Sequence, residues 1–218
     1  MMSRGIEGYA RLVLCIAIAV LTGVLAQVSF WVGPVPYTLQ NVGVVLAGLL
    51  LDPLHAFLSA ALYTALIALG LPMAAGFRGG IHVILGYTGG YIMGFTISAP
   101  LMSLLRRWYT RLRGKGLHEL SFADSAALLL LSLVAVLPAY VLGFAVFTYH
   151  ALGSKELLTR ATMVSSFAGL NTEDRLLLLF TASVLVFIPQ DLLMDHVIAL
   201  ALAKYIYRIA LFKGVELC

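Results

Sequence analysis

Five long runs of this chain contain no Asp, Glu, Lys or Arg: about residues 12–32, 35–51, 53–71, 81–105 and 125–151. A sixth, about 176–203, is broken only by Asp191 and Asp195. A helix needs roughly 20 apolar residues to cross a bilayer. Only helices and closed barrels satisfy their backbone polar groups there, and runs of this length specify helices. Charged residues make up 11% of the chain and hydrophobic ones 61%, against about 25% charged in a soluble domain. The expectation is an all-α integral membrane protein, a single domain over residues 1–218 with six transmembrane helices. The second run is short for a span. Pro and Gly mark the joints, in "GPVP" at 33–36, "LDP" at 51–53 and "LGLP" at 69–72.

Basic residues set the expected orientation. With the N-terminus inside, Arg4, Arg11, Arg106, Arg107, Arg111, Arg113, Lys115, Lys204, Arg208 and Lys213 are cytoplasmic, and Arg78, Lys155, Arg160 and Arg175 lie outside. That bias predicts cytoplasmic N- and C-termini. "RRWYTRLRGK" then reads as a juxtamembrane anchor beside acidic lipid, with no nucleic-acid partner. Three outer connections follow, at 31–38, 72–80 and 152–175, and "SKELLTRATMVSSF" in the third is spaced for a surface helix. Cys15 and Cys218 are the two cysteines, and neither position suggests a disulfide framework.

Four constellations could carry chemistry. In "FIPQDLLMDH" (187–196) Pro189 breaks the helix ladder and places Asp191, Asp195 and His196 in an apolar segment. Ionisable groups in a membrane are costly and mark ligand or ion sites. Asp191 and Asp195, four apart, share one face of an ideal α-helix. "GPVPYTLQNVG" brings the neutral hydrogen-bonding groups of Gln40 and Asn41 to the membrane edge, suiting an uncharged amide or urea, or simply a helix cap. Arg78 is flanked by glycines in a stretch with eight of them (70–94) and could clamp an anion. Within that stretch Gly90 and Gly94 line one helix face and favour close packing. Finally, Cys15, Ala19, Gly23 and Ala26 form a small-residue stripe for docking another subunit or for internal packing. No phosphate loop G-x-x-x-x-G-K-[ST], zinc-protease motif or nucleophile elbow occurs.

Taken in order, "PVPYTLQNVGVVLAGLLLDP", "LYTALIALGLPMAAGFRGG", "LGYTGGYIMGF" and "FIPQDLLMD" resemble the successive signatures of the BioY family, the biotin-binding substrate (S) subunits of energy-coupling factor (ECF) transporters. The resemblance implies a cell-membrane protein of a prokaryote that captures biotin from the outer side and is not an enzyme. It implies a pocket under the loops at 31–38 and 72–80, and no cofactor or metal. Its partners would be a transmembrane coupling subunit and two ATPase subunits, with Ala19, Gly23 and Ala26 on the docking face. The substrate-binding residues it implies are Asp191, Arg78, Gln40, Asn41, Tyr91, His82 and Met194, with Asp191 on the ureido N–H groups. The family pattern has Gly and Lys where this chain has Gln190 and Met194, and Asp195 is an additional acid. Those departures would suit a neutral or cationic vitamin-like ligand. A remote alternative is an intramembrane enzyme using Asp191 and Asp195.

Overall fold

A computed structural model describes residues 2–31 and 33–213, with side chains described from Gly8 onward; the Arg4 side chain and Cys218 lie outside the described residues. Helix α1 (Met2–Leu25) ends before the expected limit of the first run. Strand β1 (Ser29–Phe30) then pairs antiparallel with β2 (Tyr37–Thr38), with Pro34 and Pro36 in the turn between them.

Helix α2 (Gln40–Leu50) has 11 residues, about 16 Å at 1.5 Å per residue, too short to cross a membrane alone. Its burial explains why that is tolerated. Every residue from Val42 to Leu50 is buried, because α2 runs inside the bundle against α1, the third, fifth and last helices. A helix apolar on all sides belongs in such a place. Its C-terminal carbonyl at Leu51 accepts from Ser103 Oγ (2.7 Å) and an Arg106 guanidinium nitrogen (3.1 Å), a cation at the negative helix end. Asp52 then caps α3 (Pro53–Ala68), accepting from the backbone N–H of Leu54 and His55, with Pro53 at the first helical position.

A one-turn helix α4 (Ile81–Ile84) precedes α5 (Gly89–Arg113), so the expected fourth run is divided near its start. Helix α5 lies along α6 (Phe122–Leu152). A Cβ on Gly94 would fall 2.4 Å from Ala139 Cα, and one on Gly90 2.3 Å from the Leu142 carbonyl. The two glycines therefore serve helix contact, the packing reading of their spacing. The surface helix expected in the third connection is α7 (Lys155–Phe167), and its Val164 presses on Gly33 of the β1–β2 turn.

The last helical stretch, Arg175–Phe212, is continuous but irregular. It comprises α8 (Arg175–Phe180), a π-type turn at Thr181–Leu185, α9 (Ile188–Gln190), a second π-type turn at Asp191–His196, and α10 (Val197–Phe212). The irregularity brackets Pro189, which has no N–H for the ladder. By length and apolarity three stretches suffice to cross a membrane, Gly8–Leu25, Phe122–Leu152 and Arg175–Phe212. Helices α2 and α3 are shorter apolar helices, and α5 has the length but ends in "RRWYTRLR". Together they make the six main helices.

At the basic end of the bundle Asp124 closes the α5–α6 joint. It accepts from Tyr109 (2.9 Å) and the Ser121 hydroxyl (2.8 Å), and it pairs with Arg113 (2.7 Å). Lys204 of α10 ties the last helix to the same joint, donating to the Leu120 carbonyl (2.9 Å) and to Ser125 Oγ (2.6 Å).

Candidate functional site

At the opposite end, a cavity of about 660 Å³, part of it open to solvent, lies between the β1–β2 turn, the 74–78 loop and the bundle. Its apolar wall includes Val35, Ile92, Phe95 and Phe187, and its polar wall includes Gln40, Asn41, Arg78, Tyr91, Tyr140, Gln190 and Asp191. Five sequence-predicted site residues thus meet here from four segments: Gln40, Asn41, Arg78, Tyr91 and Asp191.

Two of the expected residues lie elsewhere. His82 is exposed on α4, its ring against Gly80, and Met194 is 47% exposed. Neither lines the cavity. The docking stripe is also placed differently from the expectation. Ala19 and Ala26 have no exposed surface, and Cys15 has 3%. A Cβ on Gly23 would meet Met73 at 2.4 Å, and Ser59 donates to the Cys15 carbonyl at 2.9 Å. The stripe is spent on packing α1 within the bundle, leaving Leu12, Val13, Ile16, Val20 and Val24 on its outer face.

Asp191 forms the floor of the site, with 3% exposure. Asn41 Nδ2 donates to its Oδ2 at 2.7 Å, and the Tyr140 hydroxyl makes a short bond to the same oxygen. Both bonds end on Oδ2, so Oδ1 is left for the cavity. Because the Asn41 amide donates to a carboxylate, its Oδ1 points away; that oxygen is buried and without a partner among the described residues. Tyr91 reaches its place because Gly143 lacks a side chain: a Cβ there would lie 2.3 Å from the ring. The Tyr91 hydroxyl donates to the Ser183 carbonyl (2.6 Å), which is freed within the irregular stretch before Pro189. Gln40 is turned the other way, its Nε2 on the Tyr63 hydroxyl at 2.6 Å. It shapes the wall more than it offers hydrogen bonds.

The lid is built from two turns. Ala74 and Arg78 exchange backbone hydrogen bonds across a tight reversal in which Gly76 has φ 70°, a conformation glycine adopts at no steric cost. Arg78 is half-buried; its Nε donates to the Ala75 carbonyl (3.0 Å) and its guanidinium lies 5.4 Å from the Trp31 ring centroid. Aromatic stacking orders the other turn, with Tyr37 between Phe30 (5.0 Å) and Phe187 (4.3 Å).

Sequence reasoning missed three residues. Tyr140 bonds Asp191, and the signal was a lone phenol in the middle of an apolar run. Phe187 packs on Tyr37. Gln27 holds the lid: its amide nitrogen reaches the carbonyls of Gly23, Pro72 and Ala74, and its oxygen accepts from the Phe77 N–H at 2.8 Å.

Asp195 is not in the cavity. It has no exposed surface and lies against the backbone N–H groups of Asn41 and Val42 in the first turn of α2. There its Oδ2 lacks full hydrogen-bond geometry, while its Oδ1 accepts from Gln190 Nε2 at 2.7 Å. Two of the three departures noted in the sequence, Gln190 and Asp195, are bonded to each other. Both acids belong to the π-type turn, yet only Asp191 lines the cavity, while Asp195 meets Gln190 and the start of α2. Beyond it, His196 is buried and bonds Ser132 Oγ at 2.7 Å.

A sequence model of the BioY family matches residues 2–211. A probable biotin transporter BioY of Pyrococcus horikoshii is 53% identical over 97 residues, covering 43% of this chain and 60% of that protein. The biotin transporter BioY of Thermotoga maritima is 44% identical over 80 residues, covering 37% and 47%. One from Lactococcus lactis is 30% identical over 131 residues, covering 56% and 69%. The chain thus aligns with about half the length of the first two relatives, 60% and 47%. The fold matches the crystal structure of the S-component for biotin from an ECF-type ABC transporter, with TM-score 0.67, 21% identity and 93% of each chain covered.

Proposed function

The chain belongs to the BioY family, and on that premise we propose that it is the substrate-capture subunit of an ECF vitamin transporter. It binds biotin from the outer side of a prokaryotic cell membrane and passes it inward with a coupling subunit and two ATPases. The observation that carries the reading is the polarity of the cavity. One end holds acceptors, Asp191 Oδ1 and Asn41 Oδ1. The lid supplies a cation, Arg78, whose Nε alone is used by the protein among the described residues. Between them lie Ile92, Phe95 and Phe187. A ligand with N–H donors at its head, an apolar middle and an anionic tail matches that order, and biotin has all three.

Because Asp191 is itself buried, a charge-assisted bond to it from a ligand N–H counts for more than in solvent. Tyr140 and Asn41 hold the carboxylate so that Oδ1 need not reorganise when ligand enters. Arg78, already fixed by its Ala75 bond and by Trp31, can meet a carboxylate with its terminal nitrogens. A neutral or cationic ligand is disfavoured because Asp195, the acid that suggested it, is occupied with α2 and Gln190. The same separation of Asp191 from Asp195 argues against two-carboxylate catalysis, and the role is capture and transport.

Calorimetry on the purified chain in detergent tests the reading, using biotin with the native protein and with Asp191→Asn. Tight binding that the substitution weakens at least tenfold supports it. A folded native protein that takes up no heat at micromolar biotin overturns it.

A further inference from the structure

Gln190 lines the same cavity as Asp191 and Asn41, yet its amide has so far been given no part in binding. The nitrogen of that amide is committed to the protein. It donates to Asp195 Oδ1 at 2.7 Å and lies 3.4 Å from the Thr38 carbonyl. A backbone carbonyl only accepts, so the nitrogen and not the oxygen must face that way. The oxygen, Oε1, is therefore turned from Asp195 and Thr38, and it is buried with no hydrogen-bond partner among the described residues. A buried carbonyl without a donor is costly to keep. Asp195 deepens the point. It has no exposed surface and lies outside the cavity, and its one side-chain bond among the described residues is to Gln190. The same carboxylate lies against the backbone N–H groups of Asn41 and Val42, so Gln190 is held from a group that is itself fixed on α2.

We propose that Gln190 is a specificity-determining residue that contacts ligand: its Oε1 accepts one N–H of the ligand head beside Asp191, and Asp195 is the positioning residue that aims it. The inference rests on the proposed function and adds a third, neutral acceptor beside Asp191 Oδ1 and Asn41 Oδ1. Asp191 Oδ1 serves one ureido nitrogen and Gln190 Oε1 the other. The two nitrogens are then recognised by different residues, one through a charge and one through a neutral carbonyl, and blocking each nitrogen has separate consequences. The tie from Gln190 to Thr38 also joins the head of the site to β2, so the amide is held on two sides before ligand arrives.

Calorimetric or fluorescence binding of biotin and of its two singly N-methylated ureido derivatives tests this, with the native chain, Gln190→Ala and Asp195→Asn. The native protein should reject both derivatives by about tenfold or more. Gln190→Ala should bind biotin about tenfold more weakly, and it should lose the rejection of one derivative while keeping that of the other. Asp195→Asn, whose amide can turn the Gln190 amide over, should lose the same rejection. If Gln190→Ala does not fold, Gln190→Met, which keeps the length and removes the acceptor, is read by its weaker biotin binding and altered ratio. A purely structural Gln190 would weaken all three ligands alike and leave both rejections intact, which overturns the inference and spares the proposed function. Failure of the folded native chain to bind biotin overturns both.

Discussion

Asn41, on the first turn of α2, donates from Nδ2 to Asp191 Oδ2 at 2.7 Å, across 150 residues of sequence. One bond thus joins the shortest and most buried of the main helices to the break in the last one, at the floor of the cavity. Hydrogen bonds to a charged group are worth about 1.5–3 kcal/mol. Asn41→Leu should weaken biotin binding at least tenfold and lower the melting temperature in detergent. Unchanged affinity in a folded Asn41→Leu protein would remove Asn41 from the site.

Arg78 gives a test of the other end. With the guanidinium on the ligand's carboxylate, biotin should bind the native chain at least tenfold more tightly than biotin amide. Arg78→Gln should bring the two to equal affinity, at the level of the amide, with little change in thermal stability because the side chain is half-buried on a turn. A preference for the acid that survives in Arg78→Gln would assign the tail to another donor.

Gly94 is a packing test independent of any ligand. Its missing Cβ leaves 2.4 Å to Ala139 Cα on α6, and that backbone cannot yield as a flexible side chain would. Gly94→Val should destabilise the chain by about 1–3 kcal/mol, read as an earlier thermal transition. A melting temperature within a degree of native would mean that α5 and α6 are further apart than described.

Asp124 tests the α5–α6 joint. Its carboxylate accepts from Tyr109 and Ser121 and pairs with Arg113. Asp124→Asn, which keeps the shape and removes the charge, should lower the melting temperature in detergent. A melting temperature equal to native would show that the pairing with Arg113 adds nothing to the joint.

Gln27 holds the 72–78 turn through both ends of its amide. Gln27→Leu should speed biotin release and raise amide exchange at Phe77, whose N–H it accepts, while leaving the floor at Asp191 untouched. Native exchange rates at Phe77 in that variant would count against this clasp.

Much of this was legible in the chain itself. The uncharged runs specify membrane helices because a charge or an open backbone is too costly in hydrocarbon, and that constraint acts residue by residue. Gly90 and Gly94, four apart, declared a close helix contact for the same local reason. Asp191 declared itself as an ionisable group in an apolar run, and the ordered motifs carried the family. Other features were decided by what arrives from far along the chain. The stripe of Cys15, Ala19, Gly23 and Ala26 suits docking or internal packing equally, and only the position of Met73 and Ser59 makes it internal. Spacing put Asp191 and Asp195 on one face, but in the packed fold one lines the cavity and the other meets Gln190 and α2. His82 and Met194 stood beside the motifs in sequence and point elsewhere in space. Sequence determines which segments enter the membrane because hydration free energy is paid locally; which side chains share a cavity depends on helix rotation and contact, which are settled only when every segment has packed.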